Sequence, residues 1–210
     1  MPCGLRSAVV LVAVLAAPAA APAAGADWLW GGGGHAAVPT GSFADAADEG
    51  WGAAAHAVAL PRARPLGLRL EVSAVVYGSR SLSVEVPGEG YREAGRVDAW
   101  FGHAMAGPEV RARRGAVRPY AHVLAGVGYF ATTVEPSSRG GTTRDDAAFA
   151  WAAGGGVELA ISRDVSIDLG ARYLANATVD YSVEGSGGAL VPRRGAPRVV
   201  AFTLGLAFGR

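Results

Sequence analysis

The sequence contains no lysine and only one cysteine, Cys3. Because this thiol lies near the start of a predicted export signal, disulfides, thiolate metal sites and cysteine nucleophiles are not expected in the rest of the chain. The nineteen basic residues, all arginine, nearly balance the eighteen acidic ones. Such a balance gives no overall attraction to phosphate polymers, so nucleic acid is not a predicted partner.

Long apolar runs are also lacking, except near the N-terminus. Arg6 precedes the apolar stretch 8–17, and small residues lead up to Asp27. This order is typical of a cleaved secretory signal, and ten apolar residues are short of the ~20 that a membrane helix needs. We therefore predict a signal peptide at 1–26 and one domain at 27–210. Cleavage within 19–21 is an equally good alternative.

Apolar residues recur with a period of two, which is typical of β-strands rather than helices. In 165–173 the residues Val165, Ile167 and Leu169 alternate with Ser166 and Asp168. The same alternation, strong or weak, predicts eight strands of the length that a tilted membrane strand needs. They lie within 28–38, 50–60, 66–77, 95–106, 117–131, 149–159, 165–173 and 200–208.

The predicted connections alternate between long and short. The long ones are 39–49, 79–94, 132–146 and 176–197, and the short ones are 61–65, 107–116 and 161–164. Long surface loops on one side and short turns on the other are typical of outer membrane barrels. The sequence thus predicts an all-β fold, an eight-stranded antiparallel up-and-down transmembrane β-barrel without a transmembrane helix.

The residues opposite the aliphatic ones indicate which face of each strand points into the barrel. This face is rich in glycine, as a narrow lumen requires, and it carries charges of both signs. The predicted lumen charges are Arg69, Glu71, Arg96, Asp98, Glu158, Asp168 and Arg172. We expect Arg96, Asp98 and Arg172 to form an upper layer, nearer the long connections. The lower layer, nearer the short turns, then has one arginine and three carboxylates. These carboxylates need a further hydrogen-bond donor or a proton.

Several segments resemble the small outer membrane β-barrel family, in particular its eight-stranded members of the OmpA and OmpX type. They include LGLRLEVSAVVYG (66–78), RPYAHVLAGVGYF (118–130) and GGGVELAISRDVSIDLGARYL (154–174). The resemblance implies a location in the bacterial outer membrane, with outer membrane lipids and the barrel-assembly machinery as partners. Family members tend to end on an aromatic residue, whereas here Phe208 is followed by two more residues.

No catalytic site, cofactor site or metal site is predicted. Some barrels of this size are lipid-modifying enzymes with a serine two residues after a histidine. None of His35, His56, His103 and His122 is followed in that way. We therefore predict a non-enzymatic structural barrel whose four long connections contact an unknown surface partner. The alternatives are a narrow pore or small-ligand transport barrel, an outer membrane enzyme, and a secreted lipocalin-like binder with its aliphatic face inward.

Overall fold

The computed structural model describes residues 26–45, 47–62, 64–86, 90–136, 142–184 and 190–209. Within 79–98, 134–144 and 181–193, the structure describes the backbone alone. The predicted signal peptide lies outside the described residues except for Ala26, and its cleavage stays a prediction.

Eight long strands close into one antiparallel barrel, in which each strand pairs with its neighbours along the chain and the last pairs with the first. The barrel strands are β1 (Ala26–Thr40), β2 (Gly50–Pro61), β3 (Leu66–Val86), β4 (Gly90–Arg111), β5 (Val117–Pro136), β6 (Thr142–Ala160), β7 (Val165–Asn176) and β10 (Arg198–Gly209). Two short strands, β8 (Val179–Glu184) and β9 (Leu190–Gly195), form a separate hairpin. The predicted fold class is confirmed.

Barrel closure depends on β1 and β10, which pair from Leu29 opposite Gly209 to Thr40 opposite Arg198. This pairing satisfies the backbone groups of the two strands that would otherwise be sheet edges. The start of β1 and the end of β10 both lie on the side of the short turns. Among the described residues, no helix is long and apolar enough to cross a membrane.

The aliphatic face of β3, β6, β7 and β10 points outward, whereas Leu29, Val58 and Leu60 of β1 and β2 are buried inside, near the short turns. In β3, Leu70 is 45% exposed, whereas its neighbour Arg69 is only 4% exposed. Exposed apolar side chains continue from Leu66 to Val76 along this strand. At the rise and tilt of barrel strands this distance is about 25 Å, the height of the apolar band of outer membrane barrels. The outward direction of the aliphatic residues excludes the lipocalin-like arrangement.

Three of the predicted connections are wrong in their bounds. β3 and β4 continue through most of 79–94, and β5 and β6 continue into 132–146. The connection 176–197 contains the β8–β9 hairpin. Strands that project beyond the lipid need no continuous apolar outer face, so polar residues are frequent there and the sequence resembles a loop although backbone pairing persists. The short connection 107–116 is also shorter than predicted, because β4 extends to Arg111.

Candidate functional site

Glycines on the inner face of the barrel leave room for larger neighbours. A Cβ atom at Gly156 would collide with the carbonyl oxygen of Leu169 and lie 2.6 Å from the phenol oxygen of Tyr120. A Cβ atom at Gly170 would lie 2.8 Å from the same phenol oxygen. The Tyr120 ring therefore occupies space that only glycine on β6 and β7 can provide.

The interior holds a chain of buried ion pairs that begins on β3. Arg69 Nε donates to Glu71 Oε2 at 2.8 Å, and Arg69 Nη1 donates to Glu109 Oε2 at 2.8 Å. Arg111 continues the chain, because its Nε donates to Glu109 Oε1 at 2.6 Å and its Nη1 to Glu158 Oε1 at 2.9 Å. Charges removed from water need such close, hydrogen-bonded partners.

Arg172 joins this chain from β7. Its guanidinium contacts Glu71, donates to Ser73 Oγ at 3.0 Å and lies 3.3 Å from His35 Nε2. The prediction that Arg172 belongs to a separate upper layer is therefore wrong. Long arginine side chains bridge residues at different depths, so the depth of a Cα atom does not fix the depth of its charge.

Tyr120 and Asp168 complete the opposite wall of the lumen. The Tyr120 hydroxyl donates to Asp168 Oδ1 at 2.7 Å. The guanidinium carbons of Arg69 and Arg111 lie 5.6 and 5.4 Å from the centre of the Tyr120 ring. This aromatic face stabilises the two cations on the side that the carboxylates do not cover.

We call the eight charged side chains that the structure describes in the interior the lumen cluster. They are Arg69, Glu71, Glu109, Arg111, Arg118, Glu158, Asp168 and Arg172. Arg118 joins through Glu158, 3.7 Å away, and through the hydroxyl of Ser166. Four arginines match four carboxylates, so the lumen cluster is neutral in formal charge. The predicted Arg96 and Asp98 lie on β4, but their side chains are outside the described part of the chain.

Sequence reasoning missed Glu109 and Arg111 because Gly107 and Pro108 made this segment resemble a turn. Pro108 lacks a backbone N–H, and pairing of β4 with β5 skips Gly107 and Pro108 between Ala106 and Glu109. A proline is tolerated in a strand where the ladder is interrupted in this way. The alternation of Glu109, Val110 and Arg111 was the available signal. Arg111 is the further donor that the carboxylates were predicted to need.

All four histidines point into the barrel and are buried. His35 Nδ1 lies 3.0 Å from Thr203 Oγ1, and His103 Nε2 lies 3.0 Å from Asn176 Oδ1. Neither ring nitrogen of His122 has a hydrogen-bond partner among the described groups. No group of three potential metal ligands occurs in the described residues.

Apolar side chains fill the end of the lumen under the long connections. This loop-side cap consists of Phe43, Tyr77, Phe101, Phe130 and Val179, together with smaller apolar neighbours. Phe43, from the connection between β1 and β2, is only 1% exposed and packs edge-on against Tyr77 with ring centres 5.6 Å apart. The ring centre of Phe101 lies 5.6 Å from the ring centres of both Tyr77 and Phe130. Sequence reasoning did not find the cap, because Phe43 stands alone among polar loop residues.

Solved structures with the same fold are outer membrane and bacterial surface proteins. Neisserial surface protein A is 15% identical, with a TM-score of 0.55, 88% of this chain covered and 97% of the other. Ail, the attachment invasion locus protein of Yersinia pestis, is 14% identical, with a TM-score of 0.54, 88% of this chain covered and 99% of the other. A major outer membrane protein of Thermus thermophilus is 11% identical, with a TM-score of 0.58, 88% of this chain covered and 99% of the other. These identities support a shared fold alone.

No curated protein sequence matches this chain significantly. The model of one family does match, however, over residues 7–207. That match covers nearly the whole chain and agrees with the closed eight-stranded barrel and its outward aliphatic face. The chain belongs to the family described as outer membrane protein beta-barrel domain, and its place is the bacterial outer membrane.

Proposed function

We propose that the protein is a closed, non-enzymatic anchor that presents strand extensions outside the membrane to a surface partner. The observation that supports this most is the length of β3 and β4. The outward apolar residues from Leu66 to Val76 already span the height of the apolar band, yet the strand continues to Val86 and stays paired with β4 up to Gly90. An ordered projection of this kind offers a rigid surface for contact, at less entropic cost than a flexible loop.

The filled interior supports an anchor over a pore. An eight-stranded barrel has a lumen just wide enough for side chains. Here the lumen cluster occupies the lower part and the loop-side cap the upper part. We assign to Arg69, Glu71, Glu158, Asp168 and Arg172 the structural role of holding the walls together. The same role for Arg96 and Asp98 rests on the sequence alone.

The partner is a component outside the cell, reached through the loop-side segments 39–49, 79–94, 132–146 and 176–197, which include the strand extensions. Ail, which shares the fold, is named for attachment and invasion, and this agrees with a contact role. As for other barrels, we expect outer membrane lipids to surround the protein and the barrel-assembly machinery to insert it.

Attachment of bacteria tests the proposal directly. A strain that lacks the gene is complemented either with the full chain or with a variant in which Asn-Gly replaces residues 79–98. This turn joins Gly78 to Ala99, which face each other in the β3–β4 ladder. We expect the full chain to restore attachment to cell layers and the shortened chain to fail, at equal amounts in the outer membrane.

A second shortened chain removes the end of another hairpin and shows how much the extension of β5 and β6 contributes to attachment. Asn-Gly in place of 134–142 joins Thr133 to Thr143, which are also paired. Equal attachment by all three forms, or by the strain without the gene, would contradict the proposal. Planar bilayers test the alternative function, and steady channels from the purified protein would favour a pore.

A further inference from the structure

Charge is distributed unevenly between the two sides of the barrel. The four long connections contain eleven acidic residues and six arginines. The short turns and the adjacent start of β1, which we call the turn-side rim, contain five arginines and two aspartates. The rim arginines are Arg62, Arg64, Arg113, Arg114 and Arg163. The rim is therefore the basic side of a molecule that is otherwise neutral or acidic.

One of the two aspartates is already neutralised within the rim. Arg113 Nη2 lies 2.5 Å from Asp27 Oδ2, and Arg62 Nε lies 3.4 Å from Asp27 Oδ1. Arg113 Nη1 also donates to the carbonyl oxygens of Pro61 at 2.6 Å and Arg64 at 3.0 Å. Arg113 thus fixes the shape of the first turn, and its charge is largely used inside the protein.

Arg64, Arg114 and Arg163 are different. One lies in each of the three turns, all three are exposed, and none forms an ion pair within the described residues. Each also has an apolar neighbour within three residues that is more than half exposed. These neighbours are Leu66, Val117 and Ile161, at the lower edge of the outward apolar band.

We propose that the turn-side rim binds anionic phospholipids of the adjacent leaflet. The exposed aliphatic side chain contacts the acyl chains, and the neighbouring guanidinium binds the phosphate with parallel N–H donors. The repetition of this pair in three turns gives sites at separate places around the barrel. An acidic polymer in water would fit the arginines but would leave Leu66, Val117 and Ile161 without an apolar partner.

Quenching of tryptophan fluorescence by brominated lipids measures the preference of the rim for anionic over zwitterionic lipids in the intact protein. Trp28 and Trp30 stack with ring centres 5.6 Å apart near the turn-side end of β1, beside the end of β2 that leads into the first turn. Replacing Trp51, Trp100 and Trp151 by phenylalanine leaves these two as the reporters, since the chain has five tryptophans. The protein is placed in phosphatidylcholine vesicles that contain brominated phosphatidylglycerol or brominated phosphatidylcholine.

We expect the relative association constant at the rim to favour brominated phosphatidylglycerol by roughly fivefold at low salt. The preference should fall toward one in about 0.5 M salt and in the variant Arg64→Gln, Arg114→Gln, Arg163→Gln. The matched control Arg193→Gln, Arg194→Gln, Arg198→Gln removes the same charge from the opposite side and should keep the preference.

A relative association constant of one in the protein with all rim arginines overturns the proposal. A relative association constant that the rim variant leaves unchanged also overturns it. If the triple variant does not fold, the salt series and the single change Arg64→Gln decide between the same outcomes. Binding to purified peptidoglycan sacculi in detergent, combined with a lipid ratio of one, would assign the rim to the cell wall instead.

Discussion

At the scale of single residues, the buried ion pairs of the lumen cluster are the sites most sensitive to change. Arg111→Leu leaves Glu109 and Glu158 short of a partner in the barrel interior. We expect a loss of about 3–5 kcal/mol in the free energy of unfolding, because an unpaired buried charge is costly. Urea titration of the protein in lipid vesicles, followed by tryptophan fluorescence, measures the loss.

The control for Arg111 is the exposed pair of Arg194 and Asp180, whose atoms are 4.0 Å apart. Arg194→Leu should change the free energy of unfolding by less than about 1 kcal/mol, as is usual for surface ion pairs. Equal effects at both positions would mean that water reaches the lumen cluster freely.

Gly156 and Gly34 provide a second comparison at this scale. Gly156→Ala places a methyl group against the Leu169 carbonyl and the Tyr120 ring, whereas at Gly34 the nearest atom to a new Cβ is 3.9 Å away. We expect Gly156→Ala to cost about 1–3 kcal/mol through overpacking, and Gly34→Ala to be neutral or slightly stabilising. Midpoints of urea unfolding for the two variants should therefore move apart, and a common shift would count against the close packing of Tyr120.

The lipid-facing side of β3 gives a third comparison. Leu70→Arg puts a charge within the outward apolar band and should cost roughly 2–4 kcal/mol, while Leu66→Arg, at its edge, should cost at most about 1 kcal/mol. Unfolding in vesicles again measures both. If Leu70→Arg were harmless and Arg69→Leu harmless too, the assigned direction of the strand would be wrong.

Residue patterns in the sequence were sufficient to predict which face of β3, β6 and β7 turns inward. Alternation identified Arg69, Glu71, Glu158, Asp168 and Arg172 as interior, and the structure places all five there. It could not show that Arg111 lies between Glu109 and Glu158, because the contact with Glu158 connects residues 47 positions apart. Which side chain reaches which partner depends on barrel register, and one sequence contains no direct signal of register.

At the scale of elements, the extension of β3 differs from the part of β3 within the barrel. Pairing with β2 ends where Trp51 faces Val76, so residues 79–86 pair only with β4. We expect their amide protons to exchange faster than those of 68–76, because a two-stranded ribbon opens more readily than a closed sheet. Exchange measured by mass spectrometry in nanodiscs tests this.

Residues 96–98 of β4 are the internal control for that measurement. They lie at the same height as 79–81, with which they pair on one side, but they also pair with 133–135 on the other side. Slow exchange at 96–98 with fast exchange at 79–86 is the expected pattern. Uniformly slow exchange would mean that something outside the barrel covers the β3 edge.

Strand number and order were predictable from the sequence, whereas strand ends were not. Within the membrane, lipid on one side and a narrow lumen on the other force strict alternation, which a sequence displays plainly. Beyond Val76 neither constraint applies, and the alternating serines of 79, 81 and 83 look like loop composition although they form strand. The hairpin of β8 and β9 was missed for the same reason.

At the scale of the whole molecule, closure of the sheet predicts unusual resistance to detergent. Within the closed part of the barrel every strand has two neighbours, so no backbone edge is available there for detergent or water to open. We expect the folded protein to run faster in a denaturing gel before boiling than after. Deleting 198–209 removes β10 and should abolish this difference, while shortening 79–98 should preserve it. A deletion of β10 that keeps the fast form would contradict closure between β1 and β10.

The pairing of β1 with β10 also has a kinetic consequence. These strands lie at opposite ends of the described chain, so we expect them to pair after the intervening hairpins, whose strands are close in sequence. Forming such distant contacts requires a large loss of chain entropy before any stabilisation is gained, so folding is slow compared with helical proteins of equal length. Until the two strands meet, the growing sheet has two open edges that can pair with other chains. The last step of folding therefore also ends the period in which the molecule is most prone to aggregate.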